Sequence, residues 1–96
     1  MRLRDRISDL RESIRVTAAA HGARDVRLFG SVARGEEADV SDVDFLVSLE
    51  PGRTMLDLAR LELQLEALLG RRVDVVTEAG LRESIRSTAL RESVRV

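Results

Sequence analysis

The stretch FGSVARGEEADVSDVDFLV, residues 29–47, decides the fold. It holds the end of one strand, a glycine-bounded turn (Ser31 to Gly35), a polar loop and the start of a second strand. That second strand, VDFLVSL at 43–49, is the strongest strand signal in the chain. Side chains alternate across a strand, so Asp42 and Asp44 share one face while Val43 and Phe45 point to the core. Two carboxylates at the mouth of a buried strand repel each other, and burying them is costly unless a cation compensates.

Working outward, Leu3, Ile7, Leu10 and Ile14 recur at helical spacing, which predicts a helix over 3–20 that Gly22 stops. DVRLF at 25–29 predicts a short strand with Val26 and Leu28 on one face. SVARG predicts a single helical turn and EEADVS a loop. Glu50-Pro51-Gly52 is a turn signal. Residues 54–69 predict a helix with Leu58, Leu61, Leu65 and Leu68 inward and Gly70 as its stop. VDVV at 73–76 predicts a third strand, and residues 79–93 a last helix with Leu81, Ile85 and Ala89 inward. Helices alternating with three strands imply an α/β (α+β) layer, a single domain over residues 1–96. LRESIR occurs at 10–15 and 81–86 and LRESVR at 90–95. Unequal offsets mark these as amphipathic helix vocabulary, not a structural repeat.

Composition narrows the chemistry. The chain has no cysteine and a single histidine, His21, so a zinc site is excluded in practice and a metal would be a hard cation held by carboxylates. A net charge of -1 and the absence of Tyr and Trp argue against a nucleic-acid surface. Every basic residue is Arg, which reads as composition bias. MRLRDRISDL is too charged for a signal peptide and no apolar run reaches membrane length, so no membrane contact and a cytoplasmic location are expected.

Asp74 is a charge inside the apolar VDVV run. If its strand neighbours 43–49, Asp42, Asp44 and Asp74 converge, and two Mg²⁺ (or Mn²⁺) ions would balance them and clamp an in-line displacement at phosphorus. Gly30 lets backbone approach a phosphate, and Ser31 offers a hydroxyl and free N–H groups. Arg34 is a candidate phosphate clamp, with a salt bridge to Asp39 or Asp42 as the equal alternative. Ser41 reads as a turn residue, His21 as a solvent-facing helix end, and Glu36, Glu37 and Asp39 as a solvated acidic loop.

The combined pattern GSVARG…SDVDFLV…EPG…LLGRRVDVV resembles the minimal nucleotidyltransferases, or MntA-like antitoxins, of the polymerase-beta-like nucleotidyltransferase superfamily. The resemblance covers nearly the whole chain. It implies the nucleotidyltransferase fold, a small mixed three-stranded sheet flanked by helices. It implies two Mg²⁺ ions bridged by Asp42 and Asp44, with Asp74 on the nucleophile-side metal and helping to deprotonate the attacking hydroxyl. It implies ATP as substrate, its β- and γ-phosphates held by Gly30 and Ser31. It also implies a HEPN-domain toxin partner that receives AMP on a tyrosine, as in a type VII toxin–antitoxin system. The chain has no Tyr of its own, so a Tyr acceptor must come in trans. Two alternatives stand beside this: a non-enzymatic module that masks a HEPN partner, and a nucleotidyltransferase acting on a small molecule.

Overall fold

The computed structural model describes residues 2–36 and 42–96. Two helices open the chain, α1 (Leu3–Asp9) and α2 (Arg11–Ala20). The sequence predicts one helix here. The chain instead tightens at Leu10, whose N–H donates to the carbonyls of both Arg6 (3.1 Å) and Ile7 (3.2 Å). Leu3 and Ile7 before that turn, and Ile14 and Ala18 after it, all reach the same core. The register of apolar side chains therefore survives the break.

Strand β1 (Ala23–Phe29) leads into a four-residue helix, α3 (Gly30–Ala33). Strand β2 (Val43–Leu49) has the bounds its sequence predicts. Helix α4 (Met55–Leu69) starts from Thr54, whose side chain accepts the Leu56 N–H while Asp57 accepts the Thr54 N–H. This reciprocal cap satisfies donors that a helix start leaves open. Gly70, at φ +68°, supplies the left-handed residue that ends α4. Leu58, Leu61, Leu65 and Leu69 are its buried stripe, with Leu68 at the margin.

Strand β3 (Val73–Thr77) follows, then a 3-10 turn (Glu78–Gly80), helix α5 (Glu83–Glu92) and a two-residue strand, β4 (Val94–Arg95). The single last helix predicted over 79–93 is thus a 3-10 turn and a shorter α-helix. The sheet has four strands, not three, in the order β3-β2-β1-β4. β1 runs antiparallel to both β2 and β4, while β2 and β3 are parallel and joined through α4. β4 escapes the sequence reading because two residues carry no periodicity; its pairing to Arg27 and Leu28 is tertiary.

The sheet separates two apolar clusters. Val43, Phe45, Val47, Val73 and Val75 face the main core with α1, α2 and α4. Leu46 faces the other way, into a small cluster with Leu81, Ala89, Phe29 and Val76. Ile85, predicted inward, is instead 48% exposed while Leu81 is 8% exposed. The small cluster closes on Leu81 and Ala89, and the later start of α5 turns Ile85 outward.

Candidate active site

Strand alternation now has a physical outcome. Val43 and Phe45 are buried in the main core, so Asp42 and Asp44 lie on the opposite face, the face of Leu46. Val73 and Val75 are likewise in the main core, which puts Asp74 on that same face beside Val76. In the parallel register Asp44 pairs with Asp74 directly, and on its other side with Phe29 of β1. The α5 cluster covers the Leu46–Val76 end of this face. Asp42 and Asp74 at the other end are exposed, and Asp44 is half-buried.

Like charges side by side on neighbouring strands destabilise one another. The Asp44 carboxyl shows it: burial first, then the charges of Asp74 and Asp42, push its pKa up to about 6. The positive charge of Arg34 opposes that rise. Three of the residues picked from the sequence therefore act on Asp44 electrostatically. Among the described residues, no three His, Asp or Glu side chains stand close enough together to hold a metal ion as they are. The donor set nonetheless suits a hard cation. It is all carboxylate oxygen, and Asp44 carries an excess of neighbouring negative charge that a divalent cation would offset.

Gly30 follows Phe29 at the end of β1, with φ +75°. A Cβ built there would collide with Oδ2 of Asp44. Glycine is needed twice over at this position, for the left-handed backbone and for the carboxylate against it. Ser31 lies within α3, whose N-cap is Phe29 in extended conformation, and no side chain caps this helix. The Ser31 carbonyl accepts the Glu36 N–H at 2.8 Å, which curls the chain out of α3.

Arg34 is exposed, and among the described residues its ion pairs are with neither Asp42 nor any other residue foreseen for it. Its Nε donates to Glu36 (2.9 Å) and its Nη1 to Glu92 of α5 (3.3 Å), which raise its pKa further. Asp42 is not among these partners. Asp39 lies outside the described residues, as do Glu37 and Ser41. Glu36 is exposed, as a solvated loop residue should be, and His21 is half-buried at the end of α2.

Two residues that sequence reasoning missed stand at the site's edge. β3 is a border strand, and its outward N–H groups are not left to water. Glu66 accepts from Val73 N–H (3.0 Å) and Glu62 from Val75 N–H (2.8 Å). Burial raises the Glu62 pKa, the Val75 N–H lowers it, and Asp74 raises it again. A Glu-x-x-x-Glu spacing on an amphipathic helix ordinarily signals only a solvated face. Nothing local marks these two as strand partners.

Comparison with known proteins gives the same family from three sides. The family model described as "Nucleotidyltransferase domain" matches residues 6–96. A Thermococcus cleftensis protein named "Protein adenylyltransferase MntA" is 48% identical over 75 residues, covering 78% of this chain and 76% of that one. A solved structure described as "Structure of putative minimal nucleotidyltransferase" superposes with a TM-score of 0.88 at 51% identity, covering 100% of this chain and 97% of that one. The antitoxin-containing "Crystal structure of the toxin-antitoxin with AMP-PNP" shares the fold, with a TM-score of 0.67 at 20% identity over 99% of this chain and 72% of that one.

Proposed function

This chain belongs to the nucleotidyltransferase domain family and is a nucleotidyltransferase enzyme; from that premise, we propose that it transfers AMP from ATP to a tyrosine hydroxyl of a HEPN-domain toxin, as that toxin's antitoxin. The observation that carries the reading is the register of Asp44 with Asp74, on the open half of the sheet face and against the bare backbone of Gly30.

Asp42, Asp44 and Asp74 are the residues that would hold two Mg²⁺ ions. Bound there, the ions would supply Lewis-acid stabilisation of the attacking and leaving oxygens. The chain's own residues do the rest. Gly30, against Asp44, and Ser31, the next residue, bind the triphosphate through backbone and hydroxyl. Asp74, on the exposed border strand, takes the proton from the acceptor hydroxyl as its oxygen bonds to the α-phosphorus. The α–β phosphoanhydride bond breaks and pyrophosphate leaves. Arg34 is within electrostatic range of Asp44, and phosphate oxygens would compete with Glu36 and Glu92 for it.

A protein acceptor is favoured over a small molecule by what lies outside the site. Met55, Leu56 and Leu63 of α4 are 77%, 57% and 65% exposed, an apolar surface suited to a partner. No helix among the described residues is long and apolar enough to cross a membrane. The partner and the enzyme would meet in the cytoplasm.

The test is the intact mass of a HEPN-domain protein encoded beside this chain, incubated with it, ATP and Mg²⁺. One or more AMP increments, lost with Asp44→Ala, support the reading. A stable complex without an increment replaces it with masking by contact, and transfer to a small molecule by the isolated chain replaces it with the third alternative.

A further inference from the structure

We propose that the cleft between helices α1 and α2 and the β1–β4 border of the sheet binds the phosphate backbone of single-stranded RNA, through Arg4, Arg11, Arg15, Arg24 and Arg95. The proposal goes beyond nucleotidyl transfer and stands on a different part of the molecule.

Two cavities, of about 350 Å³ and about 170 Å³, open there side by side and share Arg95 and Val96. Arg15 and Arg24 line the larger, Arg4 and Arg11 the smaller. Main-core side chains form their floors, Val26 in one and Ile7 and Leu28 in the other. Asp44 and Asp74 lie on the opposite face of the sheet. The net charge of -1 averages over these two sides, and so hides the basic cleft. A bulge in β1 shapes it. Arg24 stands opposite Ser48 but Arg27 opposite Leu46, so β1 carries one extra residue. Asp25 takes φ +53° there, and Arg24 and Asp25 are both exposed where strict alternation would bury one.

The guanidinium groups are available. Arg15 Nε donates to the Val96 carbonyl oxygen at 2.9 Å, and among the described residues the other four form no ion pair. Asp5, Asp9 and Glu12 of the same helices line neither cavity. Arg4, Arg11 and Arg15 are spread over eleven helical positions, a span of up to ~16 Å. One phosphate cannot meet groups so far apart, whereas a nucleic-acid strand offers a run of them. An acidic protein segment is the rival occupant. Protein interfaces centre on apolar anchors, while nucleic-acid interfaces are polar and positive. None of the exposed large apolar residues, Val16, Met55, Leu56, Leu63 and Ile85, lines either cavity. Recesses of this volume admit one strand, which a duplex could only bridge. Asp25 selects RNA: a carboxylate among the guanidiniums repels phosphate but accepts a hydrogen bond from a ribose 2′-hydroxyl, which DNA lacks.

The experiment is fluorescence anisotropy of labelled ten-nucleotide oligo(U), titrated with the full chain at 50 and 200 mM salt. Oligo(dT), an RNA hairpin and a ten-residue polyglutamate are run beside it, and circular dichroism checks the fold of each variant. Each phosphate contact on a single strand adds ~0.7 to the salt slope, so five predict about 100-fold weaker binding at the higher salt. Joint Arg24→Gln and Arg95→Gln should cut that loss to about 20-fold. Joint Arg4→Gln and Arg11→Gln should do the same, as an independent pair. Arg60→Gln, an exposed arginine of α4, should leave it unchanged. Oligo(dT) should bind more weakly than oligo(U), and Asp25→Gly, which suits the positive φ, should remove the difference.

No binding of oligo(U) at 50 mM salt overturns the proposal. So does an unchanged salt slope in both double variants, or an equal loss with Arg60→Gln, which would mean diffuse attraction to the whole surface. Tighter binding of polyglutamate replaces RNA with an acidic protein segment. Tighter binding of the hairpin, or equal binding of oligo(dT) by the wild type, overturns the assignment to single-stranded RNA.

Discussion

Replacing Asp44 by Asn should make this protein more stable and less active at once. The Asp44 carboxyl titrates at about 6 in the folded chain against 3.8 ordinarily, because of burial and the charges of Asp74 and Asp42. An acid whose folded pKa is raised binds its proton more tightly folded than unfolded. Stability therefore falls as pH rises from 3.8 to about 6 and stays reduced above. At ~1.4 kcal/mol per pH unit the penalty has a ceiling of ~3 kcal/mol. Asp44 is only half-buried, so solvent screening cuts this to about 1.5 kcal/mol. In a domain of this size that corresponds to about 6–12 °C in melting temperature. The assay is thermal unfolding by far-UV circular dichroism at pH 8 and pH 4, for wild type and Asp44→Asn. The variant should melt higher at pH 8, the gap should close at pH 4, and MgCl₂ should raise the wild type far more than the variant. A gap independent of pH, or a variant that melts lower at pH 8, would refute the electrostatic account.

Gly30→Ala should cost about 1–3 kcal/mol in urea unfolding, since the residue is held at positive φ with a carboxylate where its Cβ would be. It should also abolish nucleotide binding measured by calorimetry; a fully bound, stable variant would show that the backbone there does not meet the ligand. Arg34→Gln should weaken ATP binding in the same calorimeter without moving the melting temperature, because its ion pairs are exposed. Ile85→Ala should change the urea unfolding free energy by less than about 0.5 kcal/mol. Leu81→Ala should cost about 2 kcal/mol or more, the reverse of what equal inward placement of both side chains requires.

The placement of the candidate carboxylates was legible because its signal is local. Asp42 and Asp44 differ by two residues, so strand alternation alone puts them on one face, and β2 has the bounds its apolar run predicts. The pairing of Asp44 with Asp74 needed only that β2 and β3 be neighbours, which a strand–helix–strand unit arranges. What escaped was decided at a distance. LRESIR at 10–15 crosses the tightened turn into α2, and its Ile14 is fully buried. The same six residues at 81–86 begin α5 with Ile85 outside. LRESVR at 90–95 leaves α5 and ends as β4. Near-identical hexapeptides thus take three conformations according to which strand or core lies beside them. Glu62 and Glu66 were invisible for the same reason, their partners being set by how α4 returns along β3. Arg34 was foreseen as a cation at the site, but Glu92 reaches it from 58 residues away.

The half-covered sheet face has a consequence for the competition between nucleophiles. α5 seals the Leu46–Val76 end and leaves the carboxylate end in contact with bulk solvent. Water, present at enormous excess, is then the rival of any acceptor hydroxyl. With no described residue covering that end, triphosphate is spared from water if the acceptor is itself the lid. A docked protein would dry the face in the act of presenting its hydroxyl, so that selectivity for the acceptor and suppression of futile hydrolysis become one event.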